Sequence, residues 1–413
     1  MSARVQPRST PDLLLLGVSL VLLVLGVEMV YSASFVVAQQ EFNDATYFLS
    51  KQVMWAVIGF VALVVLMTLD YHVLEKVALL LMLATVAAML LVLVPGMGVA
   101  SYGATRWLKL PGPLPPIQPS EFAKLALIIY MSHWLARKGA RVREFTYGLI
   151  PFATILVAVT GLIMLQPDMG TSLVVVGTAA CIFFAAGANL FHFVIASAGG
   201  VAAFAYLVMS EGYRSERLLA FRDPWADPQN TGWQTIQTLI ALGSGGTTGL
   251  GLDASRQKFY WVPNAHTDAI FAIIGEELGL LGTAGVILLF VLFAWRGFHI
   301  AFRAPDAFGR LLATGVTCMV LVQAVMNMAV VTNTVPYTGI TLPFVSFGGS
   351  SLLVCMAGVG VLLSVSRHET VPATVARVRE PARPFQPRQV RGTVAASGTG
   401  LAPRRRTRAR REA

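Results

Sequence analysis

The chain has 413 residues, of which 55% are apolar and only 13% are charged. Soluble domains carry about a quarter of their residues charged, so this composition excludes an ordinary soluble domain and favours a membrane protein. The net charge of +10 would favour nucleic-acid binding on a folded surface, but twelve Arg and Lys residues follow Ser366 in a tail rich in Pro, Gly, Ala and Arg. The charge therefore does not indicate a nucleic-acid partner.

Several long runs carry no charge at all, among them 53–69, 77–94 and 149–165. Each is close to the roughly 20 residues that a helix needs to cross about 30 Å of hydrocarbon. Lipid leaves only helices and closed barrels able to satisfy the backbone, and unbroken apolar runs favour helices. We predict an all-α polytopic membrane protein with about ten transmembrane helices. The predicted spans are 12–33, 52–69, 77–95, 121–137, 148–165, 172–188, 191–210, 268–295, 309–332 and 349–366.

The distribution of Arg and Lys predicts the orientation, because short cytoplasmic segments carry an excess of these residues. If the N-terminus is cytoplasmic, the short inner segments hold Arg4, Arg8, Lys76, Arg137, Lys138, Arg141, Arg143, Arg296, Arg303 and Arg310. The short outer segments then hold only Lys51, Arg106, Lys109 and Lys124. Both termini are therefore predicted to be cytoplasmic.

The same orientation places the polar stretch 211–267 outside, as one large extracytoplasmic loop between helices 7 and 8. Residues 1–369 then form the membrane domain. Residues 370–413 contain too few apolar residues to fold and are predicted to be a disordered basic cytoplasmic tail. Binding of this tail to anionic inner-leaflet lipids and a merely solvated tail both remain open.

Ionisable residues at membrane depth cost several kcal/mol, so each indicates a cavity or an internal pair. Nearly all candidates lie near the outer end of a predicted span, which favours one polar cavity open to the outer leaflet. The alternative is that each lies separately at the wet interface. The candidates are Glu28, Glu121, Lys124, Asp168, Asp268, Glu276 and Glu277.

Two of these sites also have a purely structural interpretation. Glu121 and Lys124 are three residues apart at a predicted helix start, so they share a face and can pair. Asp168 follows Gln166-Pro167 in a break between two spans, where it or Thr171 could simply cap the next helix. The sequence leaves both interpretations open.

The densest polar signal surrounds Asp268, at the point where the long loop enters a span. Asp268 is a candidate general base at a cavity mouth, or else only a helix cap, and the nearby His266 is a weaker candidate. On an ideal helix Glu276 lies about 80° and Glu277 about 180° round from Asp268. Glu276 is therefore expected to face the cavity, and Glu277 a neighbouring helix.

Cations on the outer side are informative because Arg and Lys are usually concentrated in cytoplasmic segments. Arg suits bidentate phosphate binding and Lys suits neutralisation by a point charge, so an embedded phosphate on this side is a possible ligand. Several of these residues are still expected to be ordinary loop charges. The set is Arg106, Lys109, Arg214, Arg217, Arg222, Arg256 and Lys258.

Together these motifs resemble the shape, elongation, division and sporulation family of bacterial cell-wall polymerases, and within it the FtsW type. The resemblance runs in order through most of residues 15–366. Its segments are Arg106-Trp107, 118–121 with Lys124, 166–172, 217–228 (RLLAFRDPWADP), 237–251 (QTLIALGSGGTTGLG), 255–259 (SRQKF), 263–279 and 336–351 (PYTGITLPFVSFGGSS).

The resemblance implies an inverting peptidoglycan glycosyltransferase that polymerises lipid II into glycan strands during septal wall synthesis. Asp268 would be the catalytic base, acting on a donor that carries undecaprenyl pyrophosphate. The residues implied in substrate binding are Arg106, Glu121, Lys124, Gln166, Asp168, Arg217, His266, Glu276, Ser346 and Ser350.

The resemblance also implies partners and a location. These are lipid II and the nascent glycan strand, a class B penicillin-binding protein, other membrane proteins of the division machinery, and the bacterial inner membrane at the septum. It is compatible with a divalent cation, Mg²⁺ or Mn²⁺, although the sequence shows no dedicated ligand cluster, and it implies no organic cofactor. A lipid II flippase and a non-catalytic scaffold for the penicillin-binding protein remain alternative functions.

Overall fold

The computed structural model describes residues 10–101, 104–109, 115–209 and 218–368, with backbone only at 100–101 and 201–209. The described residues all belong to one compact unit, Met1–Thr370. The predicted disordered tail, 370–413, and the candidate Arg217 lie outside the described residues.

Among the described residues, ten helices of 15 or more residues lie at the ten predicted spans. They are α1 Leu13–Phe42, α2 Tyr47–Thr68, α3 His72–Val92, α4 Pro119–Lys138, α5 Ile150–Met164, α6 Met169–Ala185, α7 Leu190–Met209, α9 Ile270–Arg303, α10 Ala307–Val331 and α11 Gly349–Ser366. A shorter helix, α8 Trp233–Ser244, lies in the predicted outer loop.

Seven helical segments within the described ranges are long and apolar enough to cross a membrane. The polytopic helical fold is therefore confirmed, while the number of ten spans stays a prediction. Of the other three helices, α4 is less apolar, α6 has only 17 residues, and α7 qualifies only as a shorter apolar helix over Leu190–Gly200.

Local sequence explains where the helices begin and end. Asp12 accepts a hydrogen bond from Leu15 N at 2.9 Å and caps α1, and Asp306 caps α10 in the same way through Gly309 N at 2.8 Å. Asn43 ends α1 in the left-handed conformation, with φ of 54°, which Asn tolerates better than most residues. α1 therefore continues nine residues beyond the predicted end at 33.

Helix α11 lies at the centre of the bundle and is buried along its length. It packs closely along α2, where a Cβ added at Gly360 would lie 2.6 Å from the carbonyl oxygen of Leu63. Close backbone approach at small residues is typical of helix pairs in membranes. Helices such as α3 instead expose large apolar side chains outward, for example Leu80 and Leu83.

Two features were not predicted from the sequence. A two-stranded antiparallel hairpin, β1 Gly98–Ser101 and β2 Ala104–Leu108, precedes α4. Helix α9, predicted as one continuous span, is interrupted at Gly279, where φ is 66° and ψ is −161°.

The loop before α9 compensates for the interruption. Gly246 O accepts from Leu280 N at 2.9 Å, and Gly251 N donates to Glu277 O at 3.0 Å. A broken helix is tolerated at membrane depth when the freed backbone groups find such partners. The interruption thus fixes the outer loop against α9.

Candidate active site

Asp268 lies at the end of the bundle where α4, α6, α9 and α11 begin. It stands one residue before Ala269, the cap position of α9, and is 8% exposed. Its Oδ1 accepts from the Thr267 hydroxyl at 3.0 Å. A Cβ added at Gly339 would lie 3.6 Å from its Oδ2. The carboxylate therefore adjoins the backbone of segment 336–348, which connects α10 to α11.

Two buried amides on α10 connect Asp268 to the rest of the site. The Asn327 amide donates to the backbone oxygen of Asp268 at 2.8 Å. One turn earlier, Oε1 of Gln323 accepts from Nζ of Lys124 at 2.7 Å. Because residues four apart share a helix face, α10 holds Asp268 and Lys124 in a fixed relation.

The predicted pair of Glu121 and Lys124 is confirmed, with 2.7 Å between Oε2 and Nζ. Both residues are buried, at 6% and 3% exposure. Removing two charges from water is costly and is compensated only by close pairing and further hydrogen bonds, which Gln323 supplies. The amide nitrogen of Gln323 donates in turn to Thr341 O at 3.0 Å and to Ser351 Oγ at 3.0 Å.

Asp168 is buried and acts as the cap of α6. Its Oδ1 accepts from Thr171 N at 3.0 Å, and its Oδ2 accepts from the Thr171 hydroxyl at 2.8 Å and from Nε2 of Gln118 at 2.9 Å. The capping interpretation left open by the sequence is thus the one the contacts support. Asp168 joins the start of α6 to the start of α4.

Arg106, on strand β2, binds the break between α5 and α6. Its guanidinium donates to the carbonyl oxygens of Gln166, at 3.1 Å from Nε, and of Pro167. The side chain of Gln166 is fully buried and donates to Met89 O at 2.9 Å. Gln166 therefore joins α5 to α3, and Arg106 holds the hairpin over this junction.

Ser346 and Ser350 shape the segment that leads into α11. Ser346 Oγ accepts from Leu342 N at 2.7 Å, closing a turn. Ser350 Oγ accepts from Gln118 N at 3.0 Å, which connects α11 to the start of α4. Both serines are buried and hold the segment beside Asp268.

The prediction that Glu276 faces the cavity of Asp268 is wrong. Glu276 is 1% exposed, and it accepts from the Ser255 hydroxyl and from Arg256 N at 2.9 Å. The ideal-helix projection did not account for the loop before α9, which folds back over this residue. Glu276 anchors that loop.

Glu277 faces a neighbouring helix, as predicted. It accepts from the Ser32 hydroxyl on α1 at 2.7 Å and forms an ion pair with Lys258 at 3.1 Å. The side chains of Glu277 and Lys258 are both fully buried. Lys258, predicted among the outer cations available to a phosphate, is thus committed to this pair.

His266 is half-buried and lies among aromatic rings, with its ring centre 4.3 Å from that of Phe48 and 5.6 Å from that of Phe347. Burial lowers the pKa of His266 to about 4, so the imidazole is neutral near pH 7. Glu28, also a candidate, is exposed on α1.

Gln323 and Asn327 were not predicted from the sequence as part of the site. A signal for them is present, since they are two amides four residues apart inside the otherwise apolar stretch 318–331. Polar side chains at membrane depth usually face the bundle interior. The spacing therefore marks the inward face of α10.

Within the described ranges, no three His, Cys, Asp or Glu side chains come together as metal ligands. Asp168 already shares both oxygens with Thr171 and Gln118. The described residues around Asp168 therefore do not fit a divalent-cation site whose ligands all come from the protein. A divalent cation stays a prediction.

These features define a polytopic helical membrane protein with a cluster of buried charged side chains at one end of its bundle. The chain belongs to the FtsW, RodA and SpoVE family of cell cycle proteins, whose family profile matches residues 12–371.

Relatives match this chain over nearly their whole length. It is 44% identical over 361 residues to stage V sporulation protein E of Bacillus subtilis, covering 87% of this chain and 98% of the relative. It is 42% identical over 355 residues to a probable peptidoglycan glycosyltransferase FtsW of Geobacter sp. strain M18, covering 86% and 96%.

Solved structures are also similar to this chain. A chain from a peptidoglycan synthase complex that coordinates polymerization and crosslinking has a TM-score of 0.70 and 30% identity, with 87% of this chain and 98% of that chain covered. The rod shape determining protein RodA of Thermus thermophilus has a TM-score of 0.64 and 28% identity, with 88% and 98% covered.

Proposed function

We propose that this chain is a peptidoglycan glycosyltransferase that polymerises lipid II. The proposal rests on the buried carboxylate of Asp268. Helix α10 connects this residue to the Glu121–Lys124 pair, because Asn327 donates to the backbone of Asp268 and Gln323 accepts from Lys124. The relatives named as glycosyltransferases support the same chemistry.

In this mechanism Asp268 takes the proton from a sugar hydroxyl of the acceptor. The freed oxygen attacks the anomeric carbon of the donor, and the bond from that carbon to the pyrophosphate oxygen breaks with inversion. Pyrophosphate departs with the bonding electron pair, so a second carboxyl group acting as general acid, as in glycoside hydrolysis, is not needed.

The departing pyrophosphate requires positive charge close to it. We assign this role to Lys124, the buried cation of the network, and to Arg106, which holds the adjoining α5–α6 break. Charge stabilisation by groups already held in place is worth more in a desolvated site than in water. Buried Glu121 sets the position of Lys124 rather than reacting itself.

We further propose that the chain acts with a class B penicillin-binding protein, lipid II, the nascent strand and other division proteins at the septal membrane. The similarity to a chain of a peptidoglycan synthase complex supports a synthase partner. Coupling a polymerase to a cross-linking enzyme would place each new strand directly where it is joined to the wall.

The test is polymerisation of labelled lipid II by the purified full chain in detergent, with and without a penicillin-binding protein. Detergent removes the two bilayer compartments, so a flippase has no reaction to perform. Glycan polymer from the wild type, lost in Asp268→Asn and kept in Asp44→Asn, is expected. Asp44 is a matched control because it is an exposed turn residue, bonded to Thr46.

Absence of polymer from the wild type, even with the partner present, would favour transport. Polymer formation that requires the partner and is unchanged in Asp268→Asn would favour a scaffold.

A further inference from the structure

A cavity of about 570 Å³ lies between α3 and α4 at the end of the bundle opposite Asp268. Its lining includes Leu79 of α3, together with Tyr130 and Trp134 of α4. Lys138 ends α4, and Arg141 follows in the short 3-10 turn Gly139–Arg143. The distribution of Arg and Lys assigns this end to the cytoplasmic side.

The basic side chains of the cavity differ in their partners. His133 and Arg137 share the Glu75 carboxylate, at 3.2 Å and 3.9 Å. Within the described residues, Lys138 and Arg141 have no carboxylate within ion-pair distance. The cavity therefore retains two positive charges that the fold leaves uncompensated.

Aromatic rings hold one of these charges in place. Nζ of Lys138 lies 5.7 Å from the ring centre of Trp134 and 6.0 Å from that of Tyr147. Cation–π contacts of this length orient the ammonium group without neutralising it. A lysine whose only role was to fix the orientation of the helices in the membrane would not need these ring contacts.

The other side of the cavity is apolar. Leu79 is 56% exposed and continues the outward-facing surface of α3 that includes Leu80 and Leu83. Trp and Tyr favour the boundary between headgroups and acyl chains. The cavity is thus basic on one side and open to hydrocarbon on the other.

We propose that this cavity binds the phosphate of an anionic phospholipid from the cytoplasmic leaflet. Basic pockets between transmembrane helices on this side of a membrane suit anionic headgroups. Lys138 and Arg141 contact the phosphate, and an acyl chain lies along Leu79 and the outer surface of α3. The site is separate from the proposed glycosyltransferase centre and does not depend on it.

The test measures retention of phosphatidylglycerol by the full chain. Protein reconstituted in equimolar phosphatidylglycerol and phosphatidylcholine is extracted, and the bound lipid is counted by native mass spectrometry. The wild type is compared with Lys138→Gln/Arg141→Gln. A charge-matched control, Lys76→Gln/Arg310→Gln, removes two exposed basic residues that do not line the cavity. The arginine-rich tail is common to all three proteins and adds the same background.

The expected result is selective retention of phosphatidylglycerol, weakened roughly 30-fold in the cavity variant and unchanged in the control. Each basic residue near an anionic surface contributes about fivefold. Lys138→Arg/Arg141→Lys keeps both charges and is expected to retain the lipid, which separates loss of charge from misfolding.

Equal retention of phosphatidylcholine, or equal losses in the cavity and control variants, would overturn the proposal. Displacement of the lipid by inorganic phosphate at comparable concentration would also overturn it, because the site would then recognise free phosphate rather than a lipid.

Discussion

Gln323 on α10 accepts a hydrogen bond from Nζ of Lys124 on α4, over 2.7 Å and inside the bundle. Lys124 thereby has two partners, the Glu121 carboxylate and this amide. The other end of the same amide holds Thr341, beside the segment that adjoins Asp268. One glutamine therefore couples the buried ion pair to the surroundings of the proposed base.

We expect Gln323→Leu to lower the free energy of unfolding by about 1–3 kcal/mol, because it leaves the Thr341 carbonyl and part of Lys124 without partners. The polymerisation rate should fall at least about tenfold, since small displacements of a catalytic group are costly. Thermal unfolding and lipid II polymerisation measure the two effects. A fully active Gln323→Leu would contradict this role.

Removing one partner of the Glu121–Lys124 ion pair should destabilise the protein more than Gln323→Leu does. Lys124→Met leaves the Glu121 carboxylate buried and unpaired, at an expected cost of about 3–5 kcal/mol. Adding Glu121→Gln removes the stranded charge and should restore most of the stability. Activity should stay lost in the double variant if Lys124 neutralises the pyrophosphate. A double variant with wild-type activity would remove Lys124 from the mechanism.

The second buried ion pair, Glu277 with Lys258, should hold the loop before α9 in its folded position. Glu277→Gln leaves Lys258 buried without its carboxylate, so we expect a loss of about 3–5 kcal/mol and faster amide hydrogen exchange over 246–262. Asp253→Asn is the control, because Asp253 is half-exposed and 3.8 Å from Nζ of Lys258. Its cost should stay below about 1 kcal/mol. Equal exchange in both variants would show that Glu277 does not hold the loop.

Gly279 should not tolerate a side chain. A Cβ there would lie 2.3 Å from Gly249 N, and its φ of 66° with ψ of −161° is open essentially to glycine alone. Gly279→Ala should lower the apparent melting temperature and the activity together. Gly285→Ala, in the same helix with no neighbouring atom within 4 Å of its added Cβ, should be neutral or slightly stabilising. Similar behaviour of the two variants would contradict the interruption of α9.

His266 should make stability depend on pH. Burial lowers its pKa to about 4, whereas the unfolded chain titrates near pH 6.5. The unfolded state therefore binds the proton more readily. Stability is full above about pH 6.5 and decreases as the pH falls toward 4, by at most about 3 kcal/mol.

Unfolding of the wild type and of His266→Phe across this pH range tests the assignment. The phenylalanine should remove the pH-dependent part while keeping the packing against Phe48 and Phe347. An unchanged pH dependence in the variant would mean that another group titrates.

The positions of the long helices could be predicted from the sequence because transfer into lipid depends mainly on composition and length. It also predicted the Glu121–Lys124 pair, since residues three apart on one helix meet regardless of the tertiary fold. Contacts between distant segments were harder to predict. Glu276 was misplaced because its partners, Ser255 and Arg256, come from a loop that returns to α9.

The same limit explains Gln323 and Asn327. Their inward direction could have been predicted from their spacing, but their partners Lys124 and Asp268 lie on α4 and just before α9. The hairpin β1–β2 was missed because its strands are short and β1 directly follows Pro95-Gly96-Met97, which is typical of a turn. Only the assembled bundle shows that Arg106 on this hairpin reaches the α5–α6 break.

The most direct test of Asp268 as the catalytic base is the single-turnover rate of glycosidic bond formation by Asp268→Asn, measured with lipid II binding in the same preparation. Asparagine keeps the shape of the side chain and an acceptor oxygen for the Thr267 hydroxyl, and the Asn327 amide donates to a backbone oxygen that the substitution leaves in place, so folding and binding should be unchanged. Loss of the base should slow the reaction by about 10²–10⁴. A variant that binds lipid II and joins it at the wild-type rate would show that another group removes the proton.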